Sequence, residues 1–99
     1  MAEKLESAAV QDALKDLAGW VAGDEGLSIK KSYKFKNFSE AWAFMTRGAL
    51  LAEKMNHHPE WFNVYNKVDV ILNTHEAGGV TELDIKMAGR MNGYAALFE

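Results

Sequence analysis

The single proline, Pro59, marks the point at which the sequence changes from a helical to an extended pattern. Before it, apolar residues recur at helical spacing over 38–55. After it, the aromatic and β-branched residues of 60–65 and the alternating residues of 68–73 are each typical of a strand, with a tight turn over 65–67 between them. Because the residue before a proline is disfavoured in the helical region, Pro59 is expected to stop the helix, with His57 and His58 in its last turn or just past it. The chain is therefore predicted to join a long helix directly to a β-hairpin.

All three histidines flank this predicted hairpin. His57 and His58 lie where the helix pattern stops, and His75 lies where the returning strand stops. If those two ends meet, three imidazoles converge. An imidazole has an ordinary pKa of about 6.5 and can therefore donate or accept a proton at neutral pH. The pattern predicts proton transfer with a bound molecule. Glu53, one helical turn before His57, is expected to orient that ring, and Trp61 can floor a pocket for a flat ring.

The same residues allow two other interpretations. Three histidines and Glu76 can ligate zinc, but adjacent histidines make a poor chelating pair, so no metal is expected. Alternatively, His57 and His58 favour the negative C-terminal pole of the helix and His75 caps a strand end. The spacing alone leaves the structural and the catalytic interpretation open.

Periodicity predicts three helices and four strands along the chain. The helices are expected over 7–17, 37–55 and 81–97, and the strands over 20–22, 27–35, 60–65 and 68–73. Ser7, Asn37 and Thr81 are the predicted N-caps. The order α-β-β-α-β-β-α predicts an α+β fold of two layers, a four-stranded antiparallel sheet with three helices on one face, and residues 1–99 are expected to form a single domain.

The long helix carries more apolar residues than one small core needs. The stripe predicted to face the sheet consists of Phe38, Ala41, Trp42, Met45, Ala49, Ala52 and Met55. Leu50 and Leu51 widen this stripe and indicate a second buried surface, such as a subunit contact.

Composition narrows the expected partners and location. The 99 residues carry a net charge of −3 and no cysteine, so neither general nucleic-acid binding nor a thiolate site is expected. The N-terminal residues lack the apolar segment of a signal peptide, and no apolar run approaches the roughly 18 residues of a membrane span. A cytoplasmic protein without membrane association is therefore expected.

The blocks Glu53–Val68 and Asn73–Glu76 resemble the pterin-4a-carbinolamine dehydratase family, also called 4a-hydroxytetrahydrobiopterin dehydratases. Shorter similarities extend the resemblance over most of the chain after Trp20. The resemblance implies removal of water from a 4a-hydroxytetrahydropterin to give the quinonoid dihydropterin, which recycles the cofactor of aromatic amino-acid hydroxylases. It implies no metal and no organic cofactor.

The resemblance also implies roles for individual residues. The positions that match the family's catalytic histidines are His57, His58 and His75. The implied substrate-binding residues are Pro59, Trp61, Thr74, Glu76 and Ala77. Glu53 and Asp84 match acidic positions that support the site. Asn56 stands where many members have Asp, which removes a carboxylate there.

A second role follows from the same resemblance. Animal members of the family also act as dimerisation partners of a homeodomain transcription factor, through a helical surface that otherwise builds their own tetramer. Here Leu50, Leu51 and the Met87/Met91 stripe are predicted for such a surface. A homodimer or homotetramer is the expected assembly.

Overall fold

The computed structural model describes residues 2–99, which form three α-helices and one four-stranded antiparallel sheet and so confirm the predicted α+β fold. The helices are α1 (Ser7–Leu14), α2 (Phe38–Met55) and α3 (Glu82–Ala96), and the strands are β1 (Val21–Gly23), β2 (Ser28–Lys34), β3 (Glu60–Val64) and β4 (Lys67–Leu72). The strand order is β1-β2-β4-β3.

Alternation along the central strand β4 decides which face of the sheet is buried. Successive side chains of a strand point to opposite faces, and Val68, Val70 and Leu72 are all buried. The register pairs Tyr33 of β2 with Val68 and Trp61 of β3 with Val70, so these rings lie on the same inner face. The helices cover this face.

The buried side of α2 differs from the predicted stripe. Phe44 is fully buried, with its ring centroid 4.6 Å from that of Tyr33 and 5.1 Å from that of Phe35. Trp42, which was predicted to face the sheet, is 56% exposed and stacks on the exposed Phe38. The predicted stripe with Trp42 and the observed buried side with Phe44 both fit a helical period. Contact of Phe44 with the rings of Tyr33 and Phe35 decides which side faces the sheet.

The predicted contact surface for a partner is largely wrong, because three of its four residues belong to the core. Leu51, Met87 and Met91 are buried inside this chain. Leu50 is 68% exposed and remains available.

The first strands also begin later than predicted. Helix α1 ends at Leu14 rather than Leu17, and Leu27 lies outside β2 and is exposed. Strand β2 begins at Ser28, whose buried hydroxyl donates a hydrogen bond to Asp24 at 2.7 Å. This bond closes the turn between β1 and β2.

One side-chain amide fastens α3 to the β1–β2 end of the sheet. Asn92 Oδ1 accepts hydrogen bonds from Trp20 Nε1 at 3.0 Å, Lys31 Nζ at 2.9 Å and Tyr33 Oη at 2.5 Å. Burial raises the pKa of the Tyr33 phenol and lowers the pKa of Lys31. Asn92 thus forms a polar junction between α3 and the sheet.

Candidate active site

The two adjacent histidines follow a left-handed residue that ends helix α2. Asn56 has φ +51° and ψ +45°, its N–H donates to Glu53 O, and the His57 N–H donates to Ala52 O at 3.0 Å. These two bonds form a Schellman motif, and asparagine tolerates left-handed backbone better than most residues. The left-handed turn at Asn56 therefore ends the helix, three residues before Pro59. His57 is buried and His58 is exposed.

His57 is paired with the fully buried carboxyl group of Asp84. Its Nε2 lies 2.6 Å from Asp84 Oδ1, and the His57 ring is only 8% exposed. The second oxygen, Oδ2, accepts the Thr74 hydroxyl and the Thr81 N–H, each at 2.9 Å. Asp84 is the N3 residue of α3 and forms a capping box with Thr81, so the start of α3 fixes the carboxyl group beside His57.

Glu53 pairs with His58 and not with His57 as predicted. Glu53 Oε2 lies 2.5 Å from His58 Nε2, and both side chains are largely exposed. The one-turn spacing rule applies only inside a helix, and the left-handed turn at Asn56 takes His57 off that helical face.

His75 follows β4 in a short 3₁₀ turn, His75–Ala77. Its Nε2 lies 3.6 Å from Glu60 Oε2 at the start of β3, and that oxygen also accepts a hydrogen bond from Asn73 Nδ2 at 2.9 Å. Each of the three imidazoles therefore has its own carboxylate. The pairs differ in burial, since the His75 pair is exposed and the His57 pair is not.

The three histidines line one cavity, as their positions around the hairpin predicted. The cavity has a volume of about 350 Å³ and is lined by Asn56, His57, His58, Asn73, His75 and Glu76. Its volume lies within the range of about 300–1,000 Å³ that is usual for small-molecule sites. Imidazole, carboxylate and carboxamide groups together can exchange protons with a polar ring and hydrogen-bond its edges.

The expected substrate-binding residues divide into two groups. Glu76 lines the cavity, whereas Pro59, Trp61, Thr74 and Ala77 are not among its lining residues. The Trp61 ring packs against α2 at Gly48, and the Thr74 hydroxyl is committed to Asp84.

Sequence reasoning missed several residues of the site. Asn73 and Glu60 lie within the blocks that resemble the family but received no role, because they meet only when the hairpin folds. Thr81 was predicted only as a helix N-cap. Its spacing of three residues to Asp84, which is typical of a capping box, was the signal that could have linked it to the site.

Two further properties concern the part of the chain that the structure describes. Residues 2–99 contain no group of three or more histidine, aspartate or glutamate side chains arranged to hold a metal ion. No helix within that range has the length and apolarity needed to cross a bilayer.

Comparison with protein-family models gives a match over residues 3–94 to the family described as Pterin 4 alpha carbinolamine dehydratase. The match includes α1, although the resemblance in the sequence was confined to the chain after Trp20. A protein of Rhizobium johnstonii, named as a candidate pterin-4-alpha-carbinolamine dehydratase, is 61% identical over 94 residues, which are 95% of this chain and 93% of that protein. A protein of Mesorhizobium japonicum with the same name is 61% identical over 92 residues, covering 93% of this chain and 94% of its own length.

Solved structures show the same fold. The transcriptional coactivator/pterin dehydratase from Brucella melitensis is 54% identical, with a TM-score of 0.92 over 94% of this chain and 99% of its own. A pterin dehydratase-like protein described as a RuBisCO assembly factor in the alpha-carboxysome is 22% identical, with a TM-score of 0.67 over 78% of this chain and 89% of its own. At that identity the second likeness concerns the fold alone.

Proposed function

We propose, because this chain belongs to the pterin 4 alpha carbinolamine dehydratase family, that it removes water from a 4a-hydroxytetrahydropterin to give the quinonoid dihydropterin. The observation that carries the proposal is the convergence of three imidazoles, each beside a carboxylate, on one cavity. In this role the protein recycles the pterin cofactor of aromatic amino-acid hydroxylases and uses no metal or organic cofactor.

The reaction needs one proton donor and one proton acceptor. The bond between the 4a carbon and its hydroxyl oxygen breaks, and the oxygen leaves as water after it receives a proton. The adjacent ring nitrogen loses its proton, and its electron pair forms the new C=N bond. Histidine suits both tasks, since general acid and base catalysis is most efficient when the catalytic pKa lies near the working pH.

We assign the two proton transfers to His57 and His75, which flank the hairpin in the sequence and line the same cavity. His57 is held rigidly by a buried carboxylate, whereas His75 is exposed beside Glu60 and can exchange protons with water. His58, at the exposed rim with Glu53, binds the pterin and assists. Which ring protonates the hydroxyl follows from the orientation of the bound pterin.

Binding of the pterin ring is assigned to polar groups that line the cavity. A pterin edge presents both hydrogen-bond donors and acceptors, and the Glu76 carboxylate with the Asn56 and Asn73 amides offers partners for both. Trp61 supports the site from behind by filling the space between α2 and β3.

The test is the stopped-flow absorbance decay of freshly generated 4a-hydroxytetrahydropterin, with and without the protein. His57→Ala and His75→Ala are each expected to slow turnover by about 10²-fold or more while the circular dichroism spectrum stays that of the folded protein. The exposed α1 variant Gln11→Ala is the control and should keep full activity. Full activity in either histidine variant would end the assignment.

A second candidate function is that of a dimerisation partner for a transcription regulator. The similar Brucella melitensis structure is described as a transcriptional coactivator/pterin dehydratase. In this chain Phe38, Trp42 and Leu50 are exposed along α2, and apolar surface of this kind favours association. Light scattering compares the size of the assembly in the wild-type protein and in Trp42→Ser. A smaller assembly in the variant would show that this side of α2 carries the contact of a homodimer or homotetramer.

Co-purification with a regulator in the absence of dehydratase activity would favour the partner role.

A further inference from the structure

We infer that Thr74 and Thr81 are positioning residues that act through Asp84 to assign the proton of His57 to Nε2, so that Nδ1 is its reactive nitrogen. The inference rests on the proposed dehydratase function for its catalytic meaning. The two hydroxyl oxygens lie 2.7 Å apart, and Thr74 Oγ1 lies 2.9 Å from Asp84 Oδ2. All three residues are buried, so water does not compete for these bonds.

The direction of the hydroxyl bonds follows from a count of donors and acceptors. Thr81 Oγ1 accepts the Leu83 N–H at 3.2 Å, so its own proton needs an acceptor, and the oxygen of Thr74 is the one it meets. Thr74 must then pass its own proton onward, to Asp84 Oδ2. The series runs one way, from Thr81 to Thr74 to Asp84.

The series leaves Asp84 in the role of an acceptor. Oδ2 receives both the Thr74 hydroxyl and the Thr81 N–H, so the carboxyl group is satisfied as a carboxylate. Asp84, as a carboxylate, has no hydrogen to donate, so the hydrogen between Nε2 and Oδ1 is carried by the imidazole. His57 therefore donates from Nε2 to Oδ1 over 2.6 Å.

This assignment has a direct consequence for the reaction. With Nε2 committed to Asp84, Nδ1 is the ring nitrogen that accepts or returns a proton during dehydration. If the hydroxyl of Thr74 is lost, Asp84 has one donor fewer and Thr81 loses its acceptor. A carboxylate with one donor fewer is more basic, so Oδ1 draws the shared proton away from Nε2. Nδ1 takes a proton from solvent, and the Nδ1–H tautomer becomes populated beside a protonated Asp84.

The first test reads the tautomer without any substrate. Two-bond ¹H–¹⁵N correlation spectra of the ¹⁵N-histidine protein show which nitrogen of each neutral ring carries hydrogen. The chain has three histidines, and His57→Gln, His58→Gln and His75→Gln identify their signals. We expect the Nε2–H form for His57 in the wild type and in Thr74→Ser, and a mixture in Thr74→Val. The exposed Thr46→Val, on α2, is the matched control.

The second test is kinetic. Thr74→Val is expected to lower kcat by about tenfold or more, with a much smaller change in KM, and Thr74→Ser to restore it, because only the hydroxyl is needed. An Nδ1–H ring at His57 in the wild type, or a Thr74→Val spectrum identical to that of the wild type, overturns the inference. The wild-type spectrum decides the point even if Thr74→Val does not fold. Absence of wild-type turnover with an Nε2–H ring would overturn the dehydratase proposal and leave the proton assignment intact.

Discussion

Gly48 of α2 lies directly against the indole ring of Trp61 in β3. A Cβ placed on Gly48 would lie 3.0 Å from Trp61 Cζ3 and 3.2 Å from Cη2, closer than side chains normally approach. The absence of a side chain at this position therefore lets helix and strand approach each other beside the hairpin that carries the histidines.

Gly48→Ala is expected to destabilise the protein, although alanine is the better helix former. The gain in helix propensity is at most about 1 kcal/mol, and an overpacked core contact costs about 1–3 kcal/mol. The matched variant is Gly93→Ala in α3, where a Cβ meets nothing within 4 Å. Gly93→Ala should therefore raise the free energy of unfolding by up to about 1 kcal/mol. Urea denaturation measures both; equal stabilisation would contradict the close packing at Trp61.

Asp84→Asn is expected to reduce turnover by about 10²-fold or more while preserving the side-chain shape. A carboxamide has one acceptor oxygen, whereas Asp84 accepts at both of its oxygens. In Asp84→Asn, either His57 Nε2 or the two donors to Oδ2, the Thr74 hydroxyl and the Thr81 N–H, therefore lose their acceptor. Stopped-flow absorbance measures the effect, with the exposed Asp12→Asn as control. Wild-type turnover in Asp84→Asn would show that the carboxylate does not act through His57.

Asn56→Val should destabilise the protein, and Asn56→Gly should not. A β-branched residue in the left-handed region costs about 1–2 kcal/mol, whereas glycine adopts it freely. Because the turn at Asn56 sets the direction in which His57 leaves the helix, Asn56→Val should also lose activity. Both variants lack the amide assigned to the pterin, so the readout is the difference between them in thermal unfolding and in turnover. Equal values would remove the left-handed cap as the cause.

Stability above pH 10 is expected to depend on Tyr33. Burial raises the pKa of its phenol above the usual value of about 10, so the unfolded chain loses this proton first. The contribution of Tyr33 to the free energy of unfolding is therefore present below about pH 10 and decreases as the pH rises beyond it.

The lowered pKa of Lys31 makes stability rise with pH, which is the opposite of the Tyr33 effect. Lys31 is present in both the wild type and Tyr33→Phe, so a comparison of the two proteins isolates the contribution of Tyr33. The variant should be less stable at neutral pH, because it lacks the hydrogen bond to Asn92. It should also lose less stability between about pH 10 and 11. Denaturant titrations at several pH values test this, and parallel pH curves would contradict it.

The sequence by itself determined the features that depend on near neighbours. Alternation over 68–72 identified the buried face of β4, and the Thr81-to-Asp84 spacing identified the start of α3. A strand period and a helix cap are set within a few residues, so they can be read locally. The motif around His57 and His58 likewise identifies the family from sequence alone.

Only the tertiary structure decided the partners of individual side chains. Phe44 rather than Trp42 lies in the core, where its ring packs against Tyr33 of β2 and against Phe35, which follows that strand. His57 took Asp84 as its partner over a separation of 27 residues, and Glu53 was left to His58. Such choices depend on which surfaces meet when helices and sheet pack, and no local spacing in the chain contains that information.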